Sequence, residues 1–331
     1  MKGIKKSQLS NFLQQVSAKY SLYVPAQVDG VTRFQKYSSE REPFLTANTQ
    51  LSPKELFFPQ TEQLYCYETH KQEVKVEELA ASSEPQVLFG VRPCDMQAIG
   101  VLDDVFLGKG YEDVYYRAKR ANTLIIALAC SQAEATCFCD SMGVDPAFAP
   151  QADLMMYETE DGYLIEALSD QGKDFLQEFS SALEELRSEK PQAPACELKA
   201  ETDGLVEKLQ KMFEHSVWAE LSRKCINCGT CTYLCPTCHC FDIESKTRGG
   251  KGVKFRCWDS CMYKEYTLMA GGHNPRPTKK ERVRQRFLHK LQYMPERYGK
   301  WGCVGCGRCI DKCPVNLDIT KVIRELREVE A

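Results

Sequence analysis

No apolar run in the 331 residues approaches the roughly 20 needed to cross a bilayer, so no membrane span is expected. Charge of one sign is not in excess either. The 43 Lys and Arg stand against 46 Asp and Glu, a net charge of −3. That balance gives no global attraction to nucleic acid or anionic lipid. The opening MKGIKKSQLSNFLQQ is basic but lacks the apolar core of a secretory signal, and a cytoplasmic location is expected. Histidine is scarce, and His70, His215, His273 and His289 stand isolated, as structural residues do. No G-x-G-x-x-G follows a strand-like run, and Gly249-Gly250-Lys251-Gly252 lacks the phosphate-loop pattern, so no dinucleotide site is expected.

Cysteine is what the chain has in quantity, 18 in all. A disulfide scaffold that dense is normally short and exported, whereas this chain is long and no export is expected. The thiols therefore read as metal ligands in a reducing compartment. Twelve of them fall between Cys225 and Cys313.

The pattern predicts an α+β fold. Residues 1–190 read as an α/β domain, 191–203 as a linker, and 204–331 as a mostly helical domain of bacterial-ferredoxin type with an insert at about 238–300. Residues 6–20 place Leu9, Phe12, Leu13 and Val16 on one helical face. QVLFGV at 86–91 and TLIIALA at 123–129 suit buried parallel strands. Between them Asp95 is placed to cap a helix carrying Ile99, Leu102, Val105 and Phe106. Residues 154–167 read as a hairpin turning at Asp161-Gly162, and 173–188 as a surface helix.

The strongest signal is Cys225-x2-Cys228-x2-Cys231-x3-Cys235-Pro236, repeated as Cys303-x2-Cys306-x2-Cys309-x3-Cys313-Pro314. This is the bacterial ferredoxin run, in which the fourth Cys serves the other cluster. Cys225, Cys228, Cys231 and Cys313 are thereby assigned to one [4Fe–4S] cluster, and Cys303, Cys306, Cys309 and Cys235 to a second. Gly229, Gly305 and Gly307 suit close backbone approach. Structural zinc usually takes two separated cysteine pairs, which this spacing fits poorly.

Two further groups are candidates. Cys94 and Cys130 each follow a buried strand, and Cys137 and Cys139 share the next loop. Ends of neighbouring parallel strands lie side by side, so four thiols converge on one edge, enough for a third [4Fe–4S] cluster. The alternative is that Cys94 and Cys130 are small buried hydrophobes. Inside the insert, Cys238, Cys240, Cys257 and Cys261 suit either a further cluster or zinc, or packing around Cys235. Cys66 and Cys196 have no partner at ligand spacing. The basic run at 276–290 reads either as a docking face for an acidic partner or as a solvated helix face.

Arg92-Pro93-Cys94-Asp95, CFCDSMG at 137–143, CPTCHC at 235–240, WDSCM at 258–262, AGGH at 270–273, RQRFLHK at 284–290 and CVGCGRC at 303–309 occur in that order. Together they resemble the iron–sulfur family that unites the β subunits of sulfhydrogenases with the iron–sulfur component of anaerobic sulfite reductase. The resemblance runs from about residue 85 to the end. It implies electron transfer between a flavoprotein subunit binding FAD and NAD(P) and a terminal catalytic subunit of hydrogenase or sulfite/polysulfide reductase type. A component of a flavin-based bifurcating or heterodisulfide-reductase-linked complex is the alternative, followed by a zinc-stabilised interaction or nucleic-acid module. The resemblance also favours a cluster on Cys94, Cys130, Cys137 and Cys139. It carries Cys at the positions of Cys238, Cys240 and Cys261 but not reliably at Cys257. No catalytic base or nucleophile is discernible.

Overall fold

A computed structural model of the chain describes residues 1–71, 73–78 and 84–330. Its strands are β1 (Lys2–Lys5), β2 (Ser21–Val28), β3 (Val31–Lys36), β4 (Thr61–His70), β5 (Glu73–Glu78), β6 (Gln86–Val91), β7 (Thr123–Leu128), β8 (Leu154–Glu158), β9 (Gly162–Ala167), β10 (Glu184–Glu185), β11 (Phe241–Arg248) and β12 (Lys251–Trp258). They form an eight-stranded sheet in the order β10-β1-β9-β8-β7-β6-β2-β3 and a four-stranded sheet β11-β12-β4-β5. With the helices this is an α+β architecture.

The centre of the large sheet is parallel: β2 with β6, β6 with β7, and β7 with β8. Strands β6 and β7 are buried on both faces, as their unbroken apolar runs require. The helix Leu9–Ser17 covers one side with Phe12, Leu13 and Val16. Helix Pro93–Phe106 covers the other through Met96, Ile99, Leu102 and Phe106. The hairpin β8–β9 begins its second strand at Gly162, where a Cβ would strike the β1 backbone.

Three expectations change. Asp95 does not cap helix Pro93–Phe106. Arg92 is the N-cap residue and Pro93 starts the helix, while Asp95 is buried in the first turn against Arg308. The surface helix of 173–188 runs instead over Asp170–Glu178, opened by the Ser169 side chain accepting from the Gly172 amide. Phe175 and Phe179 then pack on Phe12, and the chain straightens so that Glu184 and Glu185 pair with β1. The insert opens as the hairpin β11–β12, and β12 pairs antiparallel with β4. One sheet thus draws strands from both sides of the 191–203 segment. Arg256 of β12 secures the join, buried with its Nε donating to Glu62 at 2.8 Å and its head paired with Asp113. No helix among the described residues is long and apolar enough to cross a membrane.

The cysteine-rich part has its own core. Helices Leu205–Gln210, Val217–Ser222, Lys279–Leu288 and Ile319–Glu328 bury Leu209, Trp218, Phe287, Leu288 and Val322 beside Cys225, Cys231, Cys303 and Cys309. Helix Lys279–Leu288 starts at a capping box of Thr278 and Glu281, then widens into a π-turn at His289–Tyr293. Such π-turns inside helices cluster at functional positions.

Candidate metal centres

The two ferredoxin-type runs fold alike. Asn227 and Gly305 occupy corresponding places and both take the left-handed conformation, with φ of 55° and 65°. Gly229 and Gly307 follow at 76° and 74°, each opening a single helical turn, Thr230–Tyr233 and Arg308–Asp311. The repeat therefore extends from spacing into backbone geometry. Cys225, Cys228, Cys231 and Cys313 line one pocket, closed by Met262, Leu317 and Arg286. Backbone amides reach the sulfurs: Asn227 N–H donates to Cys225 at 3.4 Å, Leu317 N–H to Cys313 at 3.2 Å. Cys228 is exposed beside Ile226, so this pocket reaches the surface.

Cys235, Cys303, Cys306 and Cys309, expected to hold the second cluster, lie close enough for their charges to act on one another. Burial raises the Cys303 thiol to about 11, and Cys235 and Cys306 push the same way. Burial likewise raises Cys309, joined by Cys303, Cys235 and Cys306. Cys235 moves in the opposite direction. A hydrogen bond from Cys238 holds it well below the ordinary thiol value, with the Lys290 ammonium contributing.

Cys94, Cys130, Cys137 and Cys139 line a third pocket with Arg92, Asn48 and Pro146. Cys94 enters from the first turn of helix Pro93–Phe106, Cys130 from the end of β7, and the other two from the loop after it. Burial raises Cys94 well above the usual value, and raises Cys137 to about 12. Cys306 lines this pocket as well. The close approach has a cause in the glycines: a Cβ on Gly305 would collide with the Cys139 backbone, and one on Gly307 with Thr136. The Phe138 amide donates to the Gly305 carbonyl at 2.9 Å, joining the loops. Arg308, beside Cys306, is buried and clasps Asp95 with two bonds of 2.7 Å.

The insert cysteines are linked in pairs rather than gathered round one point. Cys238 bonds to Cys235, whereas Cys240 accepts from Cys261 and Tyr266, which hold it down near 6. Cys257 lies in β12 opposite Asp242 and Thr61. Cys196 has a partner that its spacing does not reveal: its sulfur lies 3.6 Å from that of Cys139, and both are buried. Its amide donates to Asp140, within the same loop.

The helical part of the basic run, from Arg282 to Lys290, turns its cations inward, whereas Lys279 before it stays exposed. Arg282, Arg284, Arg286 and Lys290 are all buried. Lys290 donates to Cys235 Sγ at 3.1 Å, Cys238 Sγ at 3.6 Å, Thr237 Oγ1 at 3.2 Å and the Gly302 carbonyl at 3.1 Å. Arg286 lines the pocket of Cys225 and Cys313, and Cys231, Cys309, Cys238 and Cys235 keep its pKa raised against burial. Lys54 donates to the carbonyls of Cys235 and Cys238 and sits 3.8 Å above the Trp258 ring. Among the described residues none of these three cations has a carboxylate within 4 Å, whereas buried charge is normally paired.

This donor set fits [4Fe–4S] clusters. The thiols of Cys94, Cys130, Cys137 and Cys139 and those of Cys225, Cys228, Cys231 and Cys313 stand round cavities, as ligands to the corners of a cubane do, and among the described residues no three Cys, His, Asp or Glu side chains close on one ion. Buried cations without carboxylates supply charge for an anionic group, and Arg286 keeps a buried Nε with no hydrogen-bond partner. Amides directed at the sulfurs are the usual surroundings of such clusters.

Comparisons with known proteins agree. Residues 224–317 match the 4Fe-4S dicluster domain. Over 319 residues the chain is 34% identical to the sulfhydrogenase 2 subunit beta of Pyrococcus furiosus, covering 93% of this chain and 92% of that protein. No solved structure matches. The chain belongs to the iron–sulfur family of the sulfhydrogenase β subunits.

Proposed function

We propose that this chain is an electron-relay subunit with three [4Fe–4S] clusters in a row. Cys94, Cys130, Cys137 and Cys139 hold the first, Cys235, Cys303, Cys306 and Cys309 the middle one, and Cys225, Cys228, Cys231 and Cys313 the last. Each cluster, when bound, takes up and releases single electrons. The observation that carries the reading is continuity. Cys306 belongs to the middle group and lines the first pocket, and Arg286 lines the last pocket while facing the middle group. The residues of this chain insulate the row, set its order and open it to the surface at Cys228.

The partners are a flavoprotein subunit binding FAD and NAD(P), which splits hydride pairs into single electrons, and a terminal catalytic subunit of hydrogenase or sulfite/polysulfide reductase type. Similarity to a sulfhydrogenase subunit supports the assembly. A bifurcating or heterodisulfide-reductase-linked complex differs in the subunits that co-purify. The nucleic-acid reading loses most of its motive, since Arg282, Arg284, Arg286 and Lys290 of the basic run are buried. Anaerobic purification from the native host tests the proposal. The expected result is a brown chain with about twelve iron and twelve sulfide, co-purifying with a flavoprotein. A colourless chain carrying zinc, or one purified alone, contradicts it.

A further inference from the structure

Electron uptake adds negative charge to a buried site, so any cation close by stabilises the reduced state more than the oxidised one. The cations near the three thiol groups are not equivalent in this respect. Arg308 is neutralised by Asp95, which grips it with both oxygens. Arg92 spends its guanidinium on the carbonyls of Ala129 and Leu45. Lys54 reaches carbonyls, not sulfur. Around Cys225 and Cys313 the sulfurs receive neutral backbone amides, and Arg286, which lines that pocket, shares its charge with Cys309 and Cys235 of the middle group. Lys290 alone among these places an ammonium on a ligand sulfur, 3.1 Å from Cys235 Sγ.

Its position is built rather than incidental. Lys290 is 5% exposed and has no carboxylate partner among the described residues. Thr237 Oγ1 and the Gly302 carbonyl take its remaining protons and aim it, and Thr237 in turn donates to Gly302 at 2.6 Å. It lies in the π-turn His289–Tyr293, where the helix is widened. A buried lysine that bonds only oxygen dipoles and thiols is costly to the fold unless an anionic group lies beside it.

We propose that Lys290 is a positioning residue that raises the reduction potential of the middle cluster, by charge and by its hydrogen bond to Cys235. This rests on the reading of Cys235, Cys303, Cys306 and Cys309 as one cluster's ligands. The electron then rests preferentially in the interior of the chain, and the row favours filling from the ends. The charge acts on the middle site first because Cys235 is the ligand sulfur it touches.

The test is a low-temperature EPR titration against potential on the anaerobic full-length chain, unmodified and as Lys290→Met and Lys290→Arg, with iron measured on each sample. Lys290→Met is expected to retain its iron and to shift one cluster's midpoint negative. The reduced-to-oxidised ratio at fixed poise should fall about tenfold, which for one electron is about 59 mV. Lys290→Arg should recover most of the shift, while the other two midpoints stay in place. Iron retained with all midpoints unmoved in Lys290→Met overturns the proposal. If Lys290→Met loses iron, Lys290→Arg decides: iron lost there too makes the lysine a structural prop and overturns it, whereas iron retained with a near-native midpoint supports it. Failure of the underlying cluster reading looks different, because the unmodified chain itself then lacks the middle signal.

Discussion

The loop at 225–231 and the loop at 303–309 place left-handed residues at the same points, Asn227 with Gly305 and Gly229 with Gly307. One reaches solvent at Cys228, next to the exposed Ile226. The other is walled by the first-half cysteine loop on one side and by Lys290 on another. The same ligand pattern thus serves two environments. Spacing decides what is bound, whereas the packing around each loop decides how exposed it is, how charged, and what it neighbours.

The largest contrast is expected from removing one ligand in each loop. Cys228→Ser should lower iron by about four per chain and leave the other signals intact. Cys306→Ser should lower it by about four to eight, because Cys306 also forms part of the first pocket. Iron and sulfide assays with EPR check this, and equal, independent losses would break the comparison. The residues that follow the second glycines differ as sharply. Arg308→Met strands the buried Asp95 and should cost about 3–5 kcal/mol. Thr230→Val, at the matching place, should cost within about 0.5 kcal/mol. Anaerobic denaturant unfolding measures both, and similar values would contradict the assigned roles.

A smaller contrast lies in the backbone. Asn227→Ala meets the left-handed conformation and gives up the Oδ1 that accepts from Cys225, and should cost about 1–2 kcal/mol. Gly305→Ala meets that conformation and the Cys139 backbone, so it should cost more and also deplete iron in the first pocket. Loss of iron from the last site instead would misplace the contact. Smallest is a difference in rate. Brief exposure to oxygen or a chelator should strip the solvent-facing loop before the enclosed one, followed by loss of its EPR signal first. The reverse order would show that Cys228 is not the open end.

Features set by neighbours in sequence were legible without the structure. The cysteine spacing, the parallel pair β6 and β7, and the helix bearing Phe12, Leu13 and Val16 each follow from local pattern. What joins distant residues was not. The Arg308–Asp95 pair spans 213 positions and the Cys139–Cys196 contact 57. Pairing of β12 with β4 left no mark, because each strand read alone is an ordinary alternating or polar segment. The basic run misled for a physical reason. Arginine and lysine are seldom buried without carboxylates, so charge reads as surface. A hint was present: Val283, Phe287, Leu288 and Leu291 interleave with the cations and leave that helix little polar face. Burial of both kinds of residue makes sense only beside an anionic group that the sequence does not spell out.

Magnetic interaction among the reduced centres tests the continuous row most directly. In the fully reduced anaerobic chain, EPR should show broadened, spin-coupled signals accounting for three clusters, and Cys306→Ser should simplify them by removing the middle member. Sharp, independent signals, unchanged in shape when Cys306 is replaced, would contradict the arrangement.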